Sequence, residues 1–528
     1  MATRMASRVW KRGCQRLKSS PKCRSFCSST PGADITSVPL SKPLPNMPLP
    51  QYASVGGSSA DTQVTVLNNG LSVASQNKFG QFCTVGVVLD SGSRYEVAYP
   101  SGVSHFLEKL AFCSTTEYEN RDHILQELEK HGGICDCQGS RDTLIYAASA
   151  ETTGLPAVMN ILSEVVLRPN ITDNELEDSR VAISFELENL NMQPDPEPLL
   201  MELIHAAAFR DNTVGLPRFC PTENIAVHTR SSLYTYLKNF HSPRRMVVAG
   251  VGMDHQHLVQ LTQEYFVNRK SPIWAEHVGI IDTNKADDKS VAQYTGGNLQ
   301  VEKDLSDVSL GPTPFPELAH VVIGLESCSH QDSDFVAFCV LNMMMGGGGS
   351  FSAGGPGKGM YTRLYLNVLN RYHWMYNATA FNHAYQDTGL FCIHASSHPS
   401  QLTELVEVIV REVVNTAGKV FPDELDRAKR QVQSMLLMNL ESRPVVFEDI
   451  GRQVLANGHR KPAKYFYEEI NKITEEDIRR VATRMLRSRP AVAAYGSLSQ
   501  MPSYGNIETA LASKDGRMPR KFSLFRSS

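Results

Sequence analysis

The sequence predicts an α+β protein made of two similar halves. From residue 61 onward, short apolar strands alternate with amphipathic helices, and Asn68-Asn69-Gly70 is a hairpin signal between two of the strands. Four features then recur in the same order at offsets of 245–250 residues, which favours a duplication over chance similarity. Hydrophobic residues are 41% and charged residues 20% of the 528, which is typical of globular proteins and excludes disordered and collagen-like chains.

Each half is predicted to run from strands through helices to a closing apolar strand. A glycine- and proline-rich segment, 281–316, separates them as a predicted linker, so the halves are 61–280 and 317–528. The elements predicted in the first half are strands 62–67, 71–76 and 83–89, helices 103–112 and 124–130, strand 144–150, helix 155–167, a long helix from 174 and strand 246–250. Those predicted in the second half are strand 320–325, apolar helices 335–345 and 360–369, strand 390–396, helix 402–414, a long helix from 423 and strand 491–496.

The N-terminal segment has the composition of a mitochondrial transit peptide. Residues 1–33 contain eight basic residues and no acidic one, and the basic side chains fall on one face of an amphipathic helix. A basic tail that binds nucleic acid or membranes is the alternative. Arg24-Ser25-Phe26-Cys27-Ser28 resembles a matrix cleavage pattern, which predicts a mature start near Phe26 or Cys27. Residues 34–60 are predicted to be an extended leader.

The rest of the chain is acidic and has no membrane-spanning pattern. Beyond residue 33, 44 basic residues stand against 55 acidic ones, a balance of −11. The longest nearly uncharged apolar stretch, 335–345, is about half of what spans a bilayer. Eleven cysteines in 528 residues are too sparse and odd in number for a disulfide scaffold, so they are predicted to be reduced thiols.

A short helix in the first half carries a near-motif for zinc. His105, Glu108 and Lys109 share one helix face at spacings of three and four residues. The run resembles the inverted motif His-x-x-Glu-His of the pitrilysin-like zinc proteases. In that family, the resemblance implies, both histidines bind zinc, the glutamate activates water, and a third ligand lies about 76 residues further on. Glu186, 77 positions beyond Lys109, matches the third ligand.

Lys109 occupies the position of the second histidine, which predicts a degenerate site without metal. A protonated lysine has no lone pair for a cation and adds a like charge, so we expect it to pair with Glu108 and Glu186. His105 and Glu108 could also be an incidental helix pair in another family. A third alternative is an active hydrolase that recruits other ligands nearby: His123, His131, Cys135 and Cys137.

A glycine-rich segment in the second half is the other candidate site. Eight of the fourteen residues from Gly346 to Gly359 are glycine, and their order fits neither phosphate-binding loop pattern. A side-chain-poor loop inside a domain can approach an extended peptide closely and accept varied sequences, which predicts substrate binding rather than a linker. The predicted substrate-binding residues are Gly346, Gly347, Gly348, Gly349, Ser350, Gly354, Gly355, Gly357, Lys358 and Gly359.

With this segment and the Met-Tyr-Thr-Arg-Leu-Tyr that follows it, the resemblance narrows to the non-catalytic branch of the mitochondrial processing peptidases. That family implies two halves with mixed β-sheets packed by helices, and a matrix heterodimer that removes presequences from imported precursors. The resemblance further implies a catalytic beta partner that holds the zinc, presequences as ligands, no nucleic acid, and some association with the inner membrane through respiratory complexes. Two alternatives remain: a structural core subunit of the respiratory cytochrome reductase, and a stand-alone matrix protease.

Overall fold

The computed structural model describes residues 61–193, 195–276, 291–305, 316–349 and 359–519. All of them lie in one compact unit, Gly57–Ser528. The predicted transit peptide 1–33, the leader 34–60 and much of the predicted linker lie outside the described residues. So do five of the predicted substrate-binding residues: Ser350, Gly354, Gly355, Gly357 and Lys358.

The first half forms a six-stranded mixed sheet in the order β1-β2-β6-β3-β5-β4. Strands β2 and β6 are parallel and the other neighbours are antiparallel. The strands are β1 Gln63–Val66, β2 Ser72–Gln76, β3 Phe82–Leu89, β4 Ile134–Gly139, β5 Leu144–Glu151 and β6 Met246–Val251. The helices of this half are α1 Val103–Lys109, α2 Arg121–Glu129, α3 Leu155–Leu167, α4 Asp173–Met192, α5 Glu197–Phe209, α6 Arg230–Phe240 and α7 His255–Thr262.

The second half forms a six-stranded sheet in the order β7-β12-β8-β11-β10-β9. Here β7 and β12 are the parallel pair. The strands are β7 Gly297–Glu302, β8 Ala319–Glu326, β9 Gly347–Gly349, β10 Met375–Ala384, β11 Gly389–Ser397 and β12 Ala491–Gly496. The helices are α8 Phe335–Met345, α9 Leu402–Asn415, α10 Pro422–Asn439, α11 Arg443–Asn457, α12 Ala463–Lys472, α13 Glu475–Met485 and α14 Tyr504–Ala512.

The two sheets follow one plan, which corrects the predicted linker. Strands β2, β6, β3, β5 and β4 correspond in order and direction to β7, β12, β8, β11 and β10. Strand β7 lies inside 281–316, so this segment supplies the first strand of the second sheet instead of only joining the halves. All six residues of β7 are half-buried or exposed at the sheet edge, so the strand has little hydrophobic signal in the sequence.

The halves exchange one helix each. Helix α5 of the first half covers the second sheet, with Ile204 packed among Val322, Leu390 and Ala491. Its counterpart α11 covers the first sheet, with Phe447 packed among residues such as Val88. Each sheet therefore depends on the other half of the chain for part of its core. In the described ranges no helix is both long and apolar enough to cross a membrane.

This exchange predicts that damage to α11 unfolds both halves together. Phe447 is 2% exposed, and Phe447→Ala is expected to lower the free energy of unfolding by about 3–5 kcal/mol. Trp274 in the first half and Trp374 in the second can report the urea transition of each half after replacement of the other two of the three tryptophans. Phe185→Ala, at a site 66% exposed, is the control and should change little. A shift confined to one half would contradict the coupling.

Candidate metal centre and glycine-rich segment

Helix α1 is fixed at its start by a buried carboxylate. Glu96 is 1% exposed and accepts hydrogen bonds from the backbone N–H groups of Gly102 and Ser104, both at 2.6 Å. These groups have no partner within the helix, so the carboxylate satisfies them and holds the helix end in place. Phe106 and Leu107 are buried on the inner side of α1, which leaves His105 and Lys109 to face α4.

His105, Lys109 and Glu186 form one hydrogen-bonded cluster between α1 and α4. His105 is 3% exposed, and its Nε2 lies 3.1 Å from Glu186 Oε2. The Lys109 ammonium lies 2.7 Å from the same oxygen. The backbone N–H of Cys220 donates to His105 Nδ1 at 3.1 Å, so the ring proton is on Nε2 and is donated to Glu186. The ion pair expected from the sequence between Lys109 and Glu186 is therefore present.

Glu108 lies beside this cluster but is held mainly by other groups. Its Oε2 accepts a hydrogen bond of 2.8 Å from the backbone N–H of Gly139 on β4. Lys109 Nζ is 3.5 Å from Oε1, and Arg218 is 3.9 Å from Oε2. Glu108 thus sits among a backbone donor and two cations, and its charge is compensated without a metal ion.

The donor set does not fit a zinc ion. The Lys109 ammonium lies within hydrogen-bond distance of the carboxylate that would be a ligand, and His105 directs its N–H, not a lone pair, toward that carboxylate. Within the described ranges, one group of at least three His, Cys, Asp or Glu side chains brings its ligand atoms within 4.8 Å of one another. That group includes none of the residues around Lys109. The alternative ligands His123, His131, Cys135 and Cys137 therefore do not assemble a site beside Lys109.

The cluster keeps Glu186 ionised. The hydrogen bond from His105, followed by that from Lys109, lowers the pKa of Glu186 to about 2. Because the pKa is lower in the folded chain than in the unfolded one, the contribution of Glu186 to stability is fully present above about pH 4.3. That contribution is lost as the pH falls from there toward 2.

Glu186→Gln should accordingly destabilise the protein at neutral pH and much less in acid. The glutamine removes the titrating charge, so the difference in unfolding free energy between wild type and variant should shrink as the carboxylate becomes protonated. Urea unfolding of both proteins at about pH 6, 4 and 3 measures this difference. Glu188→Gln, on the same helix α4, is the control. A difference that stays constant over this range would contradict the assigned ion pair.

The glycine-rich segment begins as a strand rather than a loop. Gly347, Gly348 and Gly349 form β9, which pairs antiparallel with Thr379–Asn377 of β10 at the sheet edge. Gly347 has a φ of +99°, and a Cβ there would overlap the carbonyl oxygen of Ala378. The close approach to the neighbouring strand therefore requires glycine at this position. The sequence predicted an open loop from Gly346, which is wrong for these three residues.

The far end of the segment is anchored next to a cavity. Gly359 precedes Thr362, whose side chain packs against Gly346, and Arg363, which is 7% exposed. Arg363 makes a two-pronged ion pair with Glu424 at 2.6 and 3.1 Å, which ties the segment to the first turn of α10. The cavity of about 560 Å³ is lined by residues that include Tyr361, Asn367, Glu412, Phe421 and Asp423.

Several contacts of both sites had no sequence signal. Cys220 and Gly139 donate hydrogen bonds through their backbone N–H groups. Because every residue except proline has such a group, the residue type does not indicate these contacts. Phe219, whose ring lies edge-on to His105 at 5.7 Å, and Arg363 are distant in sequence from the groups they contact. The family spacing located Glu186, but only the fold brings these other residues to the two sites.

Comparison with known proteins decides the family. Residues 72–222 match the model of the insulinase family, peptidase family M16, and residues 228–432 match the M16 inactive domain. The human mitochondrial-processing peptidase subunit alpha is 57% identical to this chain over 528 residues, covering 99% of both chains. The chain belongs to the M16 peptidase family. The first M16 model spans His105 to Glu186, whereas the inactive-domain model covers the glycine-rich segment.

More distant relatives of this M16 chain carry the same name. The subunit alpha of Rattus norvegicus is 53% identical, with 99% of this chain and 100% of the relative covered. That of Caenorhabditis elegans is 42% identical, with 90% and 93% covered. Two sheets of the same plan, each packed by helices, agree with the α+β pitrilysin-like fold expected from the sequence.

Proposed function

We propose that this chain is the non-catalytic subunit of a mitochondrial processing peptidase, and that it binds presequences while its partner cleaves them. The observation that carries the proposal is the Lys109 ammonium, 2.7 Å from Glu186 where a zinc-binding histidine would be needed. Relatives at 57% and 42% identity are named as the alpha subunit of this peptidase. The names favour this function over a structural subunit of the cytochrome reductase.

In this proposal the chemistry belongs to the partner. A catalytic beta subunit with an intact His-x-x-Glu-His motif holds the zinc, which polarises the scissile carbonyl and supplies an activated water when bound. In this proposal, the chain itself holds no catalytic zinc. Its contribution is to bind and orient the presequence against the partner's centre, and orientation alone can accelerate a reaction substantially.

The glycine-rich segment and the acidic surface supply that binding. Presequences are cationic and amphipathic, as residues 1–33 of this chain are themselves. The acidic remainder attracts them, and residues 172–202 hold nine acidic residues against one basic one. The glycines Gly346–Gly349 and Gly359, with Ser350, Gly354, Gly355, Gly357 and Lys358 between them, form the main contact with the peptide backbone. The cavity lies next to the anchored end of the segment, and its lining combines the acidic Glu412, Asp423 and Glu424 with the basic Arg363, Lys419 and Arg427.

The same proposal places the protein in the mitochondrial matrix. Residues 1–33 direct import and are removed near Phe26 or Cys27, and the mature chain associates with the inner membrane only through respiratory complexes. N-terminal sequencing of the protein isolated from mitochondria checks the cleavage position. Import assays with residues 1–33 deleted check the targeting.

Reconstitution tests the division of labour. The purified chain, a candidate beta partner and their mixture are each incubated with a matrix precursor, and cleavage is measured. We expect cleavage only by the mixture, and none by a mixture whose partner carries a substitution of its motif glutamate. Cleavage by this chain alone, or equally fast cleavage by the partner alone, would contradict the proposal.

A further inference from the structure

A second group of metal-ligating side chains lies far from α1, on the sheet of the second half. Asp195, His320 and His394 place their ligand atoms within 4.8 Å of one another. His320 is 3% exposed and His394 is fully buried, whereas Asp195 is exposed. Two buried imidazoles and one carboxylate are the donor types that Zn²⁺ takes in proteins.

The topology explains how residues so distant in sequence meet. His320 on β8 and His394 on β11 lie on adjacent antiparallel strands. Residues two positions along from them, Val322 and Cys392, belong to the core that α5 covers, so both rings face α5. Asp195 lies in the connection between α4 and α5, immediately before the exchanged helix begins. The carboxylate thus comes from the first half and the imidazoles from the second.

The distance between the two rings suits metal ligands. His320 Nδ1 and His394 Nε2 are 3.2 Å apart. Two nitrogens bound to one tetrahedral zinc at 2.0–2.1 Å are separated by about 3.4 Å, close to the observed distance. Without metal these two nitrogens share one N–H···N hydrogen bond, which zinc would replace with two Zn–N bonds. His320 Nε2 is buried and has no hydrogen-bond partner among the described residues.

The surroundings also allow His394 to present a lone pair. Asn377 Nδ2 lies 3.1 Å from His394 Nδ1, and Asn377 Oδ1 accepts from Thr379 Oγ1 at 2.7 Å. The oxygen and nitrogen of an amide are assigned from such contacts. If the oxygen and nitrogen of the Asn377 amide exchange places, Oδ1 accepts a hydrogen bond from His394 Nδ1–H and Nδ2 donates one to Thr379 Oγ1. His394 Nε2 then carries no proton and directs its lone pair toward His320. A second partner that fixes the tautomer in this way accompanies most histidine ligands.

We propose that Asp195, His320 and His394 bind one Zn²⁺ ion that joins the connection before α5 to the sheet of the second half. The three side chains supply three ligands, and the exposed position of Asp195 leaves a fourth for water. The ion fastens the two halves where they exchange helices, which is a structural role separate from presequence binding. The inference goes beyond the proposed function and does not depend on it.

Zinc titration of the full chain tests this site. Protein freed of metal by a chelator is titrated with ZnCl₂ by calorimetry, and its melting temperature is followed with and without zinc. The variants are Asp195→Ala, at an exposed residue whose carboxylate also accepts a hydrogen bond of 3.2 Å from the backbone N–H of Glu197, and His320→Gln. Asp173→Ala, with a side chain 94% exposed at the start of α4, is the matched control. Cysteines that take up zinc do so equally in all four proteins.

We expect wild type and Asp173→Ala to bind one zinc ion more than the other two variants, whose affinity at this site falls by about 100-fold or more. Zinc should raise the melting temperature of the first pair only. Co²⁺ in place of zinc should give visible absorption bands that Asp195→Ala loses. Equal zinc binding by wild type and Asp195→Ala, or no zinc binding by wild type, would overturn the proposal.

Discussion

Replacing Lys109 by histidine is expected to create a zinc site between α1 and α4. The change removes the ammonium that now pairs with Glu186 and adds the missing imidazole one turn from His105. Both effects favour the cation, so zinc affinity should rise by more than the roughly 100-fold that outer partners of metal ligands contribute. Equilibrium dialysis and metal analysis measure the gain, in an Asp195→Ala background so that the other proposed site is not counted.

Lys109→Gln is the matched control for this gain. The glutamine removes the positive charge as histidine does but adds no comparable ligand, so it should bind no zinc at this position. Similar zinc binding by the glutamine and histidine variants would show that charge, not the missing ligand, excludes the metal. Zinc already bound by wild type at His105 and Glu186 would contradict the degenerate centre itself.

Deleting residues 350–358 is expected to lower presequence affinity by about tenfold or more, or 1.4 kcal/mol, without preventing assembly with the partner. The deletion spares Gly347–Gly349, because these residues pair with β10 and their loss would damage the sheet edge. The physical reason is the loss of a side-chain-poor segment that we propose to contact the peptide backbone. Fluorescence anisotropy with a labelled presequence peptide measures binding, and gel filtration measures assembly.

The control deletes nine residues, 306–314, from the segment between β7 and β8. This change shortens the chain equally and falls, in chain order, after β7, the strand at the opposite edge of the sheet from β9. It should leave presequence affinity unchanged. Unchanged affinity after deletion of 350–358, or an equal loss in the control, would contradict the assignment of the glycine-rich segment.

The elements with a strong hydrophobic pattern were predicted from the sequence. Elements with a weak hydrophobic pattern were missed. Helix α3 and strand β12 begin and end where the pattern placed them, because both are mostly apolar and are bounded by glycine, proline or polar residues. Strand β7 was not predicted, because it lies at the edge of the sheet and buries few apolar side chains. Strand β9 was missed because three glycines have no side-chain alternation to read.

Long-range arrangement could not be predicted from periodicity at all. The apolar face of α5 or α11 indicates that the helix is buried but does not indicate which sheet it covers, so the exchange required the structure. The same holds for the meeting of Asp195 with His320 and His394. The pairing of Lys109 with Glu186 was predictable, because a family spacing linked positions 77 residues apart.

Anomalous diffraction at the zinc edge, from crystals of this chain grown with zinc, locates each bound zinc ion. The degenerate centre predicts no anomalous peak between His105 and Glu186, where the Lys109 ammonium lies 2.7 Å from the carboxylate. A peak beside Asp195, His320 and His394 is expected in the same map. A zinc peak bonded to His105 and Glu186 would contradict the account of this chain as a non-catalytic subunit.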